Sequence, residues 1–206
     1  MAKLYFRYGA VSSAKTLNLL AVAHNYRSQD KKVILIKPAF DVRYGKNTIR
    51  SRAGIEKQAD VIVNQDTDLT QLNLDGVSCI LVDEVQFFNP HHIDIFREMT
   101  RIYCIPVICY GLRNDFRGHL FDGSKRLMEL ADTIEEVKTT CNFCDKKAVF
   151  NLKYINGAAT FDGPNKELGA EEKFLPACYH CFVKEHLKAK SLVQGDTNAY
   201  CFTDFA

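Results

Sequence analysis

The chain has 206 residues, of which 47% are hydrophobic and 25% are charged, and its formal net charge is +2. These values exclude a disordered chain, argue against a dedicated nucleic-acid coat protein, and predict one domain with room for a small appendage. No run approaches the roughly 18 apolar residues of a membrane span, and the N-terminal segment lacks a signal-like apolar region. We therefore expect a cytoplasmic protein, in which eight cysteines are too many for an ordinary core and are not disulfides.

The first 140 residues alternate between strand-like and helix-like segments. Short apolar runs predict strands over residues 3–8, 32–36, 77–82, 105–110 and 133–137, and helical spacing predicts helices over 13–27, 90–102 and 124–131. Asn89 suits the N-cap of the second helix and Pro90 its first position. The apolar face of the first helix is expected at Leu17, Leu20, Ala21 and His24. The alternation predicts an α/β fold, with a parallel sheet covered by helices on both faces.

Two Cys-x-x-Cys units follow, Cys141 with Cys144 and Cys178 with Cys181, and 33 residues separate them. This spacing is typical of a tetrahedral zinc site, and four thiolates leave no open position, so the metal would be structural. The alternatives are a set of buried free cysteines, or His180 in place of one thiolate. The remaining cysteines are expected to be ordinary thiols, three of them in the core: Cys79, Cys104, Cys109 and Cys201.

The turn after the first strand has the form of a phosphate loop. Its residues are Gly9, Ala10, Val11, Ser12, Ser13, Ala14, Lys15 and Thr16. Backbone N–H groups at the start of the helix would face phosphates, Lys15 would bridge the outer phosphates, and the Thr16 hydroxyl would bind magnesium. Ala14 replaces the second glycine of the pattern. We expect it to be helical, as at a helix start, and the extra methyl group is then tolerated, whereas it would be harmful if φ had to be positive. The alternative is an ordinary turn with a surface lysine.

The strand over residues 77–82 ends in two carboxylates, Asp83 and Glu84. The carboxyl ends of parallel strands line the ligand crevice of such sheets. Asp83 is therefore expected to organise magnesium, and Glu84 to act as base on an acceptor hydroxyl.

The phosphate loop, the acidic strand end and the cysteine pairs occur together with several other sequence segments that are typical of one protein family. The segments are Tyr8–Thr16, Lys37–Arg43, Val82–Phe88, Cys109–Gly118, Leu120–Ser124 and the two cysteine pairs. Over roughly residues 3–189 the chain resembles the smaller, zinc-containing type of thymidine kinase, in its bacterial branch. The resemblance implies a P-loop α/β domain over 1–140, a zinc-binding lasso domain over 141–190 and a tail over 191–206. It also implies transfer of the γ-phosphate of ATP to the 5′-hydroxyl of thymidine, or of deoxyuridine, with Mg²⁺ as cofactor.

The resemblance also assigns roles to individual residues. Glu84 matches the general base, and ATP and its metal are implied to bind the phosphate loop, Arg43, Asp83, Glu84, Val85 and Gln86. Positions near the nucleoside are implied for Phe87, Leu112, Phe116, Phe121, Leu168, Gly169 and Phe174. The family further implies feedback inhibition by dTTP and a homotetramer, with no nucleic-acid or membrane partner. Apart from Ala14, the departures from the family pattern are Val11 for methionine, Ala170 for glycine and Phe174 for tyrosine.

Two other functions fit part of the sequence. A zinc-ribbon protein that binds nucleic acid would explain the cysteines but not the phosphate loop or Asp83 and Glu84, and basic residues do not form one stripe. A catalytically impaired relative that only binds nucleotide would explain Ala14.

Some charged and polar residues are expected at the surface. Without the resemblance, the interpretation would be a solvated basic face at Arg113, Arg117 and Lys125. His91 and His92 are also expected at the surface.

Overall fold

The computed structural model describes residues 1–155, 157–164 and 174–194. The strands are β1 (Leu4–Tyr8), β2 (Lys32–Pro38), β3 (Thr48–Arg50), β4 (Glu56–Gln58), β5 (Val61–Val63), β6 (Val77–Val82), β7 (Val107–Gly111), β8 (Thr133–Glu136), β9 (Phe150–Ile155), β10 (Ala158–Thr160) and β11 (Phe174–Ala177). The helices are α1 (Lys15–Arg27), α2 (Pro90–Ile102), α3 (Asp122–Leu130) and α4 (Tyr179–Gln194). Within the described residues, no helix has the length and apolar character needed to cross a bilayer.

Six parallel strands form the main sheet, in the order β5-β2-β6-β7-β1-β8. Alternate residues of each strand point to opposite faces, so β2 sends Val33 and Leu35 into the core beneath α1. It sends Ile34 and Ile36 into the core that packs against α2 and α3. Both faces of the sheet are buried, which is why its central strands are almost continuously apolar. The predicted α/β fold is confirmed.

Helix α1 buries a different face from the one expected. Its buried residues are Lys15, Leu19, Leu20 and Ala23, whereas Leu17 is half-buried and Ala21 and His24 are exposed. The side chain of Lys15 is turned into the phosphate loop, and Leu19, Leu20 and Ala23 pack on strands β2 and β6 of the sheet. Leu19 and Ala23, four and eight residues after Lys15, lie on the same inner face of the helix as Lys15. Of the expected apolar face, Leu20 therefore lies in the core, whereas Ala21 and His24 lie at the surface of the chain.

The start of α2 is as predicted at Asn89 but not at His92. The Asn89 side chain accepts a hydrogen bond from the backbone N–H of His92 at 2.8 Å, which confirms the N-cap. His92 is buried instead of exposed, because its ring packs edge-on against Phe88 and its Nε2 lies 3.2 Å from the carbonyl oxygen of Thr67. His91 is exposed, as expected.

Residues after 140 form a separate antiparallel sheet, β10-β9-β11, covered by α4. The small core of this sheet contains all four paired cysteines, Leu152 and Phe182, and it also includes Ala10 of the phosphate loop. The unit that contains the cysteine pairs thus packs directly on the phosphate loop. Helix α4 continues past residue 190 to Gln194, so it extends into the segment expected to be a tail.

A short antiparallel hairpin, β3–β4, stands beside the main sheet. Buried Lys37, near the end of β2, donates hydrogen bonds to the carbonyl oxygens of Gly45 at 3.3 Å and Thr48 at 2.8 Å. Ala59, after β4, donates its backbone N–H to the carbonyl oxygen of Asn47 at 2.7 Å. These bonds hold the hairpin over the carboxyl end of the sheet, where the parallel strands end.

Candidate active site and metal centre

The phosphate loop lies between β1 and α1 and closes around a buried lysine. Lys15 Nζ donates to the carbonyl oxygens of Gly9 at 3.1 Å and Ala10 at 2.8 Å, and to Ser13 Oγ at 3.2 Å. Burial lowers the pKa of Lys15 to about 8. Gly9 is required for close approach, because a Cβ there would lie 2.3 Å from the carbonyl oxygen of Val137. Lys15 is therefore an interior residue of the loop and not the surface lysine of an ordinary turn.

Ala14 does not have the helical conformation expected of it. Its backbone is left-handed, with φ 61 and ψ 25, and it is the N-cap of α1. Ser12, two residues earlier, also has a positive φ of 62. The loop must reverse direction here to present its N–H groups, and an L-residue with a Cβ adopts this conformation at a cost of about 1–2 kcal/mol. The structure thus places strain at the position where the phosphate-loop pattern has glycine.

Asp83, which follows β6 directly, contacts the loop through Thr16. The Thr16 hydroxyl lies 3.1 Å and 3.3 Å from the two carboxylate oxygens of Asp83. Burial and the adjacent charge of Glu84 raise the pKa of Asp83 to about 7. A hydroxyl and a carboxylate at this distance are hard oxygen donors of the kind that Mg²⁺ prefers. The pair could therefore hold that metal beside the phosphate loop.

Glu84 is held by two donors in a left-handed backbone conformation with φ 49. Its Oε1 accepts from Arg43 Nη2 at 2.6 Å, and its Oε2 accepts from Gln86 Nε2 at 2.5 Å. Burial opposes ionisation of Glu84, but the charges of Arg43 and Lys15 outweigh it and lower the pKa to about 2. Gln86 in turn accepts from the backbone N–H of Leu112 at 2.9 Å. The carboxylate is thus ionised and fixed in direction.

A cavity of about 320 Å³ connects the phosphate loop with an apolar end. Five of the predicted nucleoside residues line it: Phe87, Leu112, Phe116, Phe121 and Phe174. Predicted phosphate-side residues that line it are Val11, Ser12, Ser13, Ala14, Lys15, Thr16, Arg43, Glu84 and Gln86. Rings of Phe87 and Phe121 have centroids 6.1 Å apart, and those of Phe116 and Phe174 are 6.2 Å apart. The cavity therefore has a charged end and an aromatic end.

Other predicted residues lie outside this cavity. Val85 is fully buried in the main core, so its side chain does not face the site. Ala10 packs into the small core that contains the four paired cysteines. Gly9 and Asp83 do not line the cavity, but they accept hydrogen bonds from Lys15 and Thr16, which do. Leu168 and Gly169, like Ala170, fall outside the described residues.

Several residues of the site were missed by sequence reasoning. Buried Asn151, on β9, accepts from the backbone N–H of Val11 at 2.8 Å and so ties the second sheet to the phosphate loop. The Phe40 ring packs at a tilt against the Phe87 ring with 5.1 Å between centroids, and Lys153 Nζ lies 5.1 Å from the centroid of the Phe116 ring. Arg52 reaches the loop from the β3–β4 hairpin. None of these has a local spacing signal, because each contact joins segments far apart in the chain.

The four paired cysteines form one cluster, in which all sulfur atoms lie within 4.8 Å of one another. Cys144 Sγ is 3.7 Å from both Cys178 Sγ and Cys181 Sγ. Tetrahedral coordination at about 2.3 Å from zinc requires sulfur separations of about 3.8 Å, so the donor set and its spacing fit that metal. The Cys141 sulfur also accepts from the N–H of Phe143 at 3.4 Å. His180 is exposed and does not belong to the cluster.

The unpaired cysteines differ from the expectation at one position. Cys79 and Cys109 are fully buried strand residues, as expected, but Cys104 is exposed. Cys104 has a positive φ of 53 in the turn after α2, which carries its side chain away from the core. Cys201 lies outside the described residues.

Comparison with known proteins agrees with this arrangement. The sequence profile of the family described as thymidine kinase matches residues 2–182. The chain is 43% identical to the thymidine kinase of Lactiplantibacillus plantarum over 184 residues, which cover 87% of this chain and 95% of that protein. It is 43% identical to the thymidine kinase of Enterococcus faecalis over 182 residues, covering 86% and 93%. It is 41% identical to that of Chromobacterium violaceum over 183 residues, covering 88% and 98%. On the profile match and these identities over most of its length, the chain belongs to the thymidine kinase family.

Proposed function

We propose that this protein transfers the γ-phosphoryl group of ATP to the 5′-hydroxyl of thymidine, giving dTMP and ADP. The observation that carries the proposal is one cavity with two unlike ends. Lys15 and the phosphate loop lie at one end, an aromatic enclosure lies at the other, and ionised Glu84 also lines the cavity. A polyphosphate suits the first end and a nucleoside the second. The names of the relatives support thymidine as the nucleoside.

In this mechanism Glu84 orients the acceptor. Its carboxylate accepts a hydrogen bond from the 5′-hydroxyl and takes the proton as the new bond forms between that oxygen and the γ-phosphorus. The bond between the γ-phosphorus and the bridging oxygen breaks, and ADP leaves with the electron pair. Lys15 neutralises charge on the transferring group. The transition state is loose, so positioning and charge neutralisation account for most of the acceleration.

Two metals belong to the proposal. Thr16 and Asp83 would hold Mg²⁺, which supplies additional positive charge next to the phosphates when bound. Cys141, Cys144, Cys178 and Cys181 would hold a structural Zn²⁺. Because Ala10 packs into the core around these cysteines, the zinc unit supports the phosphate loop without taking part in chemistry.

Regulation and assembly follow the family resemblance. dTTP carries both a thymine and a triphosphate, so it could occupy the aromatic end and the phosphate-loop end together and act as a feedback inhibitor. We also propose a homotetramer that acts in the cytoplasm, where ATP is available. Inhibition by dTTP that competes with both substrates, and a light-scattering mass near four times the 23.4 kDa chain, would support these two points.

The deciding experiment is ATP consumption by the purified protein with thymidine and with deoxyuridine. Glu84→Gln should reduce kcat by about 10²–10⁴, the range for loss of a positioned base. Glu98→Gln, at an exposed residue of α2 that pairs with surface Arg101, is the matched control and should keep full activity. Near-normal kcat in Glu84→Gln would remove the base assignment. If the protein binds ATP but turns over neither nucleoside, the alternative of a catalytically impaired, nucleotide-binding protein is favoured. The strained backbone at Ala14 is the observation that supports this alternative.

A zinc-ribbon nucleic-acid binder is the less favoured function. It leaves the buried lysine of the phosphate loop and the Glu84 carboxylate without a role. Salt-sensitive binding to DNA or RNA, together with no phosphorylation of thymidine, would be needed to restore it.

A further inference from the structure

Two buried asparagines line the cavity, and their side chains differ in how they are bonded. Asn151 uses both ends of its carboxamide: its Oδ1 accepts from the backbone N–H of Val11 at 2.8 Å, and its Nδ2 donates to the backbone carbonyl oxygen of Asn114 at 3.2 Å. Asn114, shortly after β7, is only 2% exposed, yet among the residues that the structure describes its Nδ2 has no hydrogen-bond partner. The contacts within the protein therefore account for the burial of the Asn151 side chain but not for that of Asn114.

The backbone around Asn114 is held in place. Its carbonyl oxygen accepts the bond from Asn151, and the N–H of the next residue, Asp115, donates to the carbonyl oxygen of His119 at 2.8 Å. Asp115 Oδ1 accepts from the N–H of His119 at 3.0 Å, which closes this turn. The place of Asn114 in the cavity wall is thus set by the fold, so its unpaired amide does not result from a loose segment.

An unpaired amide inside a protein is unfavourable, because its N–H group loses its hydrogen bonds to water and gains none. A ligand in the cavity can supply the missing acceptor. Asn114 lies in the chain between Leu112 and Phe116, two of the residues that line the aromatic end. Rotation about the Cβ–Cγ bond of an asparagine is broad, so the carboxamide can turn its N–H group toward a ligand.

We propose that Asn114 is a specificity-determining residue that donates a hydrogen bond to a carbonyl oxygen of the pyrimidine base. A neutral amide suits a neutral carbonyl, whereas the phosphates have the charge of Lys15 at the other end of the cavity. The bond forms only in the complex, and a ligand without an acceptor at that place leaves the amide unpaired, which lowers its affinity. The inference rests on the proposed function, since it assumes that the aromatic end receives a pyrimidine nucleoside.

The variants to compare are Asn114→Leu, Asn151→Leu and the control Asn25→Leu. Leucine is close to asparagine in size but has no hydrogen-bonding group. Asn114→Leu removes a donor that is unpaired in the free protein, so the urea midpoint should stay the same or rise. Asn151→Leu should lower the midpoint, because the N–H of Val11 loses its acceptor. Asn25 is an exposed residue of α1, so its replacement should change neither stability nor binding. Asn114→Ala, which is smaller and also lacks the donor, gives the same comparison if leucine does not fit.

Equilibrium binding of thymidine, 2-thiothymidine and 4-thiothymidine, without ATP, measures the contact itself. Sulfur is a weaker hydrogen-bond acceptor than oxygen, so the analogue altered at the contacted position should bind the original protein more weakly than thymidine does. Asn114→Leu should bind thymidine about 3–10-fold more weakly, the value of one neutral hydrogen bond. It should also bind that analogue and thymidine equally, because the two changes remove the same bond.

Unchanged affinity for thymidine in Asn114→Leu would overturn the proposal. An equal loss for thymidine and both analogues would overturn it as well, because Asn114 would then act on the shape of the cavity and not on an oxygen of the base. The outcome for the proposed function is separate. Loss of the oxygen-specific binding in a protein that never phosphorylates thymidine would keep Asn114 as a base-binding residue and remove the kinase reaction. Phosphorylation of thymidine without that loss would do the reverse.

Discussion

Arg43 bridges two carboxylates at the carboxyl end of the sheet. Its Nη2 lies 2.6 Å from Oε1 of Glu84, and its Nε lies 2.7 Å from Oδ1 of Asp41. Asp41 orients the guanidinium, and the guanidinium keeps Glu84 ionised in a site where burial alone would favour protonation. The proposed base therefore has the protonation state its role requires at any pH near neutral.

Removing the Arg43 charge should change the pH dependence of the reaction. Burial raises the pKa of Glu84, and the charge of Arg43 is the main effect that lowers it. In Arg43→Gln that charge is lost, so the pKa of Glu84 should rise from about 2 to above its ordinary value. A base works only when ionised, so the rate should fall as pH decreases through the new pKa. We expect kcat of the original enzyme to show no titration of Glu84 between pH 5 and 8, and kcat of the variant to decline below about pH 6. Arg101→Gln, a surface change, should leave the profile unaltered, and an unaltered profile in Arg43→Gln would contradict the prediction.

Ala14→Gly should stabilise the protein. Glycine adopts a φ of 61 without the Cβ clash that alanine meets, so the free energy of unfolding should increase by about 1 kcal/mol despite the greater entropy of the unfolded chain. Ala21→Gly is the matched control, because Ala21 is exposed in the middle of α1, where glycine costs about 1 kcal/mol. Urea unfolding of both variants should therefore give opposite signs. Destabilisation by Ala14→Gly would show that the strain is not relieved.

Asp83→Asn should stabilise the ligand-free protein above neutral pH. The pKa of Asp83 is about 7 in the folded state and about 4 in an unfolded chain, so the folded state holds an extra proton between these values. The free energy of unfolding therefore decreases as pH rises from about 4 to 7, and asparagine removes this loss. The lowered pKa of Glu84 has the opposite effect and stabilises the folded state. This stabilisation is lost only as pH falls from the ordinary pKa of a glutamate toward about 2, which is below the range in which Asp83 titrates.

The measurement is urea unfolding at pH 5 and pH 8, without nucleotide and with a chelator present. The difference between Asp83→Asn and the original protein should grow with pH to the order of 1–3 kcal/mol. Asp75→Asn, in an exposed turn, should show no such growth. The same Asp83→Asn protein should have lost kinase activity if Asp83 holds the metal. A constant difference across pH would contradict the raised pKa.

Metal analysis should find about one zinc per chain, and Cys178→Ser should lower it because one of four ligands is lost. ATP affinity should fall with it, since Ala10 packs in the same small core and Asn151 holds the N–H of Val11. Cys104→Ser changes an exposed thiol outside the cluster and should keep full zinc content. Full zinc content in Cys178→Ser would remove that cysteine from the ligand set.

Much of this molecule was predictable from local patterns. The apolar runs at Val77–Val82 and Val107–Gly111 became central parallel strands, and Asn89 became the N-cap of α2. The spacing of the two cysteine pairs predicted the sulfur cluster that the fold assembles. These predictions succeeded because hydrophobic periodicity, capping and ligand spacing act over a few residues and need no knowledge of distant segments.

The sequence by itself determined the α/β class, the acidic end of β6 and the two cysteine pairs that the fold gathers into one cluster, since each depends on short-range order. The tertiary structure decided the left-handed backbone at Ala14, the inner face of α1, the burial of His92 and the approach of Arg52 and Asn151 to the loop. Each of these depends on which distant segment packs alongside. Lys15 turns inward because the loop closes around it, and Leu19 and Ala23 face inward because β2 and β6 pack beside them, which no local pattern records.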